Sequence, residues 1–568
     1  MITSSVKTYI RSLRHIGIAI LALAATFTAT EAEAATRSKK SEISRNLDIF
    51  NSVYKELQTM YVDSIDAKKS ISTAISAMLN DIDPYTEYYP AEEQEVFRTM
   101  TSGEYGGIGS IITQRKDGVY INEPYYGTPA QQAGLKAGDR IVMIDNDTVT
   151  GWTSDKVSSK LKGQAGTPLR IVVDRPHVQD SMLTFNLVRQ KIQMPAVPYY
   201  GTVGPDGKIG YISLTSFTDK AYQEVRDAFT DLKKNHGITG RILDLQGNGG
   251  GLLESAVKIV GMFVPKNTEV LRTRGKGVLN EKVYKTTTAP IDTAIPLVVL
   301  VDGNSASSSE IVAGSLQDMD RAMIVGTRSF GKGLVQSTRP LPYDGLLKVT
   351  VAKYYIPSGR LIQAIDYSRR NPDGSVARIP DSLTSVFHTQ HGREVRDGGG
   401  ITPDVTAKFR QANRLTYNIV RDFWAFDFAT KFAAEHPSIA SPRDFVITDS
   451  IFEAFKASID PDKFKYDKVC ETMLTNLREA AEAEGYMNDS VSAQMKILED
   501  MMRHDLGHDL DQNREAISEL LSDEIIKRYY YQKGAAENML KFDVAVDSAV
   551  NILSNPARLK EAPFVFWK

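Results

Sequence analysis

The strongest constraint on this chain is the alternation of strand-like and helix-like stretches between residues 209 and 325. Continuous apolar runs at 209–214, 241–245, 297–301 and 322–325 have the texture of strands covered on both faces. Between them, helical spacing of apolar residues predicts helices over 219–234, 252–263 and 307–317. A chain that alternates in this way builds an α/β core with largely parallel pairing.

The remaining regions differ in texture. At 568 residues the chain exceeds what one hydrophobic core supports, so several domains are expected. Leu47, Phe50, Val53, Leu57, Ile71, Ile75 and Leu79 recur at three- and four-residue spacing and predict two amphipathic helices, ended by Asp83-Pro84. Short β-rich runs separated by glycines fill 103–189 and predict a small β-dominated domain. Beyond Asp404 the pattern is helical, with no catalytic texture, and reads as a scaffold or dimerisation element. The expected boundaries are a leader at 1–34, a helical region at 35–103, the β-rich domain at 104–190, the α/β core at 191–408 and a helical region at 409–568.

The leader is inferred from Lys7, Arg11 and Arg14, an apolar run over 16–27, and the small residues around Ala32 and Ala34. That order is a secretory signal peptide, with cleavage expected after Ala34. The run is shorter than a membrane span needs, which makes an uncleaved anchor the weaker reading. The one cysteine, Cys470, has no internal partner, and its apolar helical context reads as packing. A large exported chain without disulfides fits a bacterial periplasm or cell envelope. Lys plus Arg total 68 against 70 Asp plus Glu, so no basic surface exists for nucleic acid.

Three motifs carry chemistry. The first runs from the strand 297–301 through Asp302-Gly303-Asn304-Ser305-Ala306-Ser307-Ser308-Ser309-Glu310 into a helix. A serine at a helix start sits beside amides that have no intrahelical partner and can stabilise an oxyanion, although serine is equally a preferred helix cap. On pattern alone, no one of these serines is singled out. The second motif is Lys332, set between Gly331 and Gly333 and flanked by Phe330, Leu334 and Val335. Work as a base requires lowering its ordinary pKa of about 10.4 to roughly 7–8 by desolvation. The third is the run Gly249-Gly250-Gly251 after the strand 241–245, without a nucleotide-binding fingerprint. His388/His391 and His504/His508 show no third ligand nearby, so neither metal nor cofactor is expected.

Taken together, these motifs resemble those of the carboxy-terminal processing, or tail-specific, serine peptidases. The resemblance spans about 46–408 and includes 81–84, 357–363 and 398–404, with 366–396 standing out as an insertion. It implies a crotonase-like α/β peptidase core, with Ser307 as nucleophile, Lys332 as base 25 positions downstream, and Gln336 orienting the lysine. The amides of Ser308 and Gly250 would form the oxyanion hole. Two positions depart from the family pattern: Ser308 replaces a common alanine, and Gln246 replaces an arginine.

The stretch Tyr105-Gly106-Gly107-Ile108-Gly109, followed by Gly127-Thr128-Pro129 and Gly138-Asp139, resembles a protease-associated PDZ domain. Gly107, Ile108 and Gly109 are its candidate loop for a substrate's terminal carboxylate. The implied partners are polypeptides with free C-terminal tails. Membrane proximity and a homodimer through the helical ends are open alternatives. Two rival readings are an inactive PDZ-containing scaffold and an acyl-CoA enzyme. The leader and the PDZ-like module argue against the second.

Overall fold

The computed structural model describes residues 40–277, 281–370, 376–407, 413–466 and 469–555, and the expected leader lies outside them. The chain divides into two compact units, 1–84 and 85–568. In the first, residues 40–60 and Ala67–Ile82 are helical. The second helix is capped by the Asp66 carboxylate, which accepts from the Lys69 amide at 3.0 Å. The periodicity over 47–79 is thus realised as helices, but Leu47, Phe50, Val53 and Leu57 are exposed.

The second unit is organised around a six-stranded sheet with the order Tyr199–Val203, Ile209–Ser213, Gly240–Asp244, Leu297–Val301, Met323–Gly326, Val405–Thr406. Every pair is parallel except the first. Alternate residues of its buried strands serve opposite faces. Leu243, Val299 and Val301 join the helices Ala221–Asn235, Leu253–Val260 and Ser308–Asp318 in one core. Ile242, Val298 and Leu300 pack instead with Ala545, Val546, Ala549 and Ile552 of the helix Val544–Ser554. The helix Val544–Ser554 therefore covers the second face of this sheet.

A second, antiparallel sheet joins Glu87–Tyr89, Gly345–Tyr355, Glu269–Gly275 and Glu281–Lys285, with Leu334–Leu341 also paired to Gly345–Tyr355. It presents Lys332 beside the start of its long hairpin. The β-rich domain is an antiparallel sheet from Ser110–Arg115 to Met182–Val188, with its own core around Ile121, Ile141, Ile171 and Val157. The chain enters and leaves it through the paired strands Glu104–Gly107 and Gln190–Gln193.

The helices from Arg414 onward pack around Phe428, Phe432, Phe452 and Phe455. Against them sits the β-rich domain. Arg115 forms a two-pronged bond with Asp427 at 2.6 and 2.8 Å, and a Cβ at Gly138 would lie 2.5 Å from Thr430. The helical run Arg514–Met539 breaks at Tyr531, whose φ of 54° is outside helical space and whose ring packs 5.6 Å from that of Tyr126. One expectation is corrected here: Cys470 is exposed, because the helix Val469–Ala483 has no buried residue.

Candidate active site

The serines of the turn differ in what each hydroxyl binds. Ser305 Oγ lies 2.7 Å from the Leu245 carbonyl, Ser308 Oγ donates to Gly251 at 3.0 Å, and Ser309 Oγ donates to Asn248 at 2.8 Å. These three hydroxyls tie the turn to the segment 245–251. Ser307 lines a cleft of about 480 Å³ that also contains Lys332 and Gln336, and Ser308 borders it as well. Its backbone has φ 57° and ψ −112°, a sparsely populated conformation for a residue with a side chain. Such a conformation costs about 1–3 kcal/mol and persists only where the surroundings impose it.

The surroundings here are dominated by Glu310, one turn into the fully buried helix Ser308–Asp318. One carboxylate oxygen accepts the Ser307 and Lys332 amides, both at 2.8 Å. The other accepts the Gly331 amide at 2.7 Å and the Ser329 hydroxyl at 2.5 Å. Burial pushes this carboxyl up to about 7, against the downward pull of those same donors. Tyr354 adds a second bridge, its hydroxyl lying 2.7 Å from the Lys332 carbonyl and 3.2 Å from that of Ser307. Neither residue was singled out as functional in the sequence. The Ser-x-x-Glu spacing of Ser307 and Glu310, a capping-box signature, was the available signal.

Lys332 is held by a tight backbone. Gly331 has φ +90°, and a Cβ there would lie 2.3 Å from Ala364 Cβ. The lysine side chain is half-buried, and its amine lies 4.2 Å from the centroid of the Tyr85 ring. Gln336 shares the cleft and donates through Nε2 to Thr350 Oγ1 at 3.2 Å. Apolar walls come from Phe97, Leu252, Leu253 and Val351.

Gly250 meets the Ser307 turn closely. At φ +103°, a Cβ on it would lie 2.8 Å from the Ala306 carbonyl, 2.9 Å from Ser307 Cβ and 3.0 Å from the Ser308 nitrogen. Its own amide donates to Asn248 Oδ1 at 2.9 Å, so that proton is engaged in this conformation. Ser308 opens the helix, where a first-turn amide has no intrahelical acceptor. Gln246 donates 2.7 Å to Asp543, the residue that caps Val544–Ser554. Adjacent Asp244 is raised by burial to about 7 despite bonds from Tyr211 and the Gln246 amide.

In the β-rich domain, Gly107 ends a strand, Ile108 is buried, and Gly109 has φ +75° with Thr128 directly beside it. Ile108 and Gly109 border a pocket of about 40 Å³ whose far wall is Ser158, Leu161 and Lys162. Those three, from the end of the helix Ser154–Leu161 and the residue after it, were not anticipated. Elsewhere, His504 Nδ1 lies 3.0 Å from Asp509, and His508 Nε2 lies 2.8 Å from Gln512.

Comparison with known proteins identifies the family. The model of peptidase family S41 matches residues 208–376, that of the PDZ domain matches 120–175, and that of a C-terminal helical domain of probable PDZ-proteases matches 415–553. A carboxy-terminal-processing protease of Bartonella bacilliformis is 37% identical over 337 residues, covering 59% of this chain and 76% of that protein. A probable CtpA-like serine protease of Staphylococcus aureus is 32% identical, covering 56% of this chain and 62% of its own length. The solved photosystem II D1 C-terminal processing protease is 29% identical, with a TM-score of 0.35, covering 63% of this chain and 86% of that one. The chain is a serine-type peptidase of family S41, belonging to the carboxy-terminal-processing proteases that carry a PDZ domain.

Proposed function

We propose that Ser307 and Lys332 form a catalytic Ser-Lys dyad that cleaves polypeptides near their C-termini. The observation carrying this reading is that Ser307 lines the cleft with Lys332 and Gln336, while the hydroxyls of Ser305, Ser309 and the other cleft-lining serine of the turn, Ser308, donate to backbone carbonyls of the 245–251 segment. Neutral Lys332 takes the Ser307 proton as Oγ attacks the scissile carbonyl. The resulting ammonium then protonates the leaving amine, and the regenerated amine activates water for deacylation. Gln336 orients the lysine. The developing oxyanion is met by the Ser308 amide and by that of Gly250 once it leaves Asn248.

The substrate tail is held with its carboxylate at Gly107, Ile108 and Gly109. The tail adds as a strand to Ser110–Arg115, which lies at the edge of its sheet. The parallel sheet with a glycine-rich oxyanion turn supports a crotonase-like core, with domain limits near 104–190, 191–408 and 409–568. The leader supports export to the periplasm or cell envelope. Among the described residues no helix is long and apolar enough to cross a membrane. Membrane proximity and dimerisation through the helical ends complete the proposal.

Cleavage of an unstructured tail by wild-type, Ser307→Ala and Lys332→Ala proteins, all shown folded by circular dichroism, tests the dyad. Both variants should lose turnover by at least a thousand-fold. Undiminished cleavage in either removes the assignment. No cleavage even by the wild type would favour the scaffold reading. Amidating the substrate's terminal carboxylate should weaken its binding if the loop at 107–109 captures it.

A further inference from the structure

The amine of Lys332 does not rest in an apolar void. Its nitrogen sits over the face of Tyr85, 4.2 Å from the ring centroid. Tyr85 is itself braced: Tyr367 meets it edge-on at 5.8 Å and 88°, and the two hydroxyls lie 3.1 Å apart. Tyr367 belongs to the strand Ile365–Arg370, at the start of the 366–396 segment that stands out as an insertion. A residue at the edge of the insertion therefore positions the ring that touches the amine.

We propose that Tyr85, braced by Tyr367, is a positioning residue for the catalytic base. Its ring holds the protonated amine of Lys332 between turnovers and so sets the pH at which the free amine becomes available. The inference rests on the Ser-Lys reading above. An aromatic face attracts an ammonium group but not a neutral amine, so the contact raises the amine's proton affinity. It thus opposes the desolvation that favours the base form. Other charged groups act from neighbouring elements. Glu87, paired with Lys348, feels the Lys332 charge from the antiparallel sheet, and the Glu310 carboxylate holds the Lys332 backbone from the nucleophile helix. Glu254 and Lys348 line the same cleft, and Tyr354 bonds the Lys332 carbonyl. All of these groups remain in both Tyr85→Leu and Tyr85→Phe, so the difference between the two variants reads the ring's contribution.

The free-amine fraction of Lys332 can be read without a substrate, from its rate of acetylation by dilute acetic anhydride followed by mass spectrometry across pH. In Tyr85→Leu the midpoint should fall by about half a pH unit, because a stabiliser of the charged form is gone. Tyr85→Phe keeps the ring and should leave the midpoint nearly in place. Tyr367→Leu should move it in the same direction as Tyr85→Leu, but less. The acid limb of kcat/KM for fluorescein-labelled casein should follow the same order.

An unmoved or raised midpoint in folded Tyr85→Leu overturns the proposal. Should that variant not fold, an unmoved midpoint in Tyr367→Leu does so instead. Cleavage of casein by Lys332→Ala would sink the dyad reading, whereas the labelling result bears on the ring alone.

Discussion

Ser307 and Lys332 share a backbone anchor yet are placed by different means. Glu310 receives both of their amides, and Tyr354 contacts both of their carbonyls. Beyond that the two seats diverge. Ser307 has a side chain one bond long on a strained backbone at the head of a buried helix, so its oxygen goes where the main chain puts it. Lys332 carries its nitrogen on a four-carbon stem, and the ring of Tyr85 beside that nitrogen is a non-covalent support. The proposed nucleophile is thus placed by the fold, and the proposed base by its neighbours. Damage to the shared anchor should be severe, damage to the nucleophile's packing should act on turnover, and damage to a side-chain contact should appear as a pH shift.

The largest effect is expected from Glu310→Ala. It leaves two or more buried donors without an acceptor, each costing about 1–3 kcal/mol. Denaturant unfolding should show a loss of several kcal/mol, and kcat/KM should fall by on the order of a hundred-fold or more. Glu310→Gln keeps the shape but has only one accepting oxygen, so it should fall between wild type and alanine. Equal behaviour of the two variants would mean that volume, not acceptance, is what the site needs.

The glycine run allows a finer comparison. Gly250→Ala forces a Cβ within 3.0 Å of the Ser307 turn at φ +103°, whereas a Cβ at Gly249 meets nothing within 4 Å. The first should lower kcat by roughly ten-fold or more with little change in KM, and the second should be nearly silent. Equal losses would show that the run does not act through its contact with the nucleophile.

The smallest effect concerns stability and pH. Buried Asp244 titrates near 7, far above its ordinary value of 3.8, so the folded state holds its proton more tightly than the unfolded state. Its contribution is full below the unfolded value and is lost as pH rises through about 7. Between pH 8 and pH 6 wild type should gain about 1.4 kcal/mol relative to Asp244→Asn, measured by urea unfolding. A parallel pair of stability curves would exclude the titration.

The parallel strands were legible because a strand covered on both faces must be apolar throughout, as Leu297–Val301 is. The hairpin of Leu334–Leu341 and Gly345–Tyr355 was not read as strands. Its residues are mostly half-buried or exposed, and its Thr, Lys and Arg positions blur the alternation. The spacing of Ser307, Lys332 and Gln336 was visible in sequence, and the three line one cleft. Tyr85 belongs to no sequence motif, because contact with an amine 247 positions away leaves no local pattern. The exposure of Cys470 was misjudged for a related reason: apolar neighbours in a helix do not say whether anything covers them.

The helix Val544–Ser554 closes a sheet whose strands were laid down roughly three hundred positions earlier. Until that closing piece is delivered, Ile242, Val298 and Leu300 have no cover on one side, and Asp543 is not there to receive Gln246 beside the glycine turn. A chain still emerging from a ribosome thus carries Ser307, Lys332 and Gln336 before the second face of the sheet that bears the glycine turn is covered. The order of synthesis alone makes the finished sheet, and the Gln246 contact beside the glycine turn, wait for residues past 543.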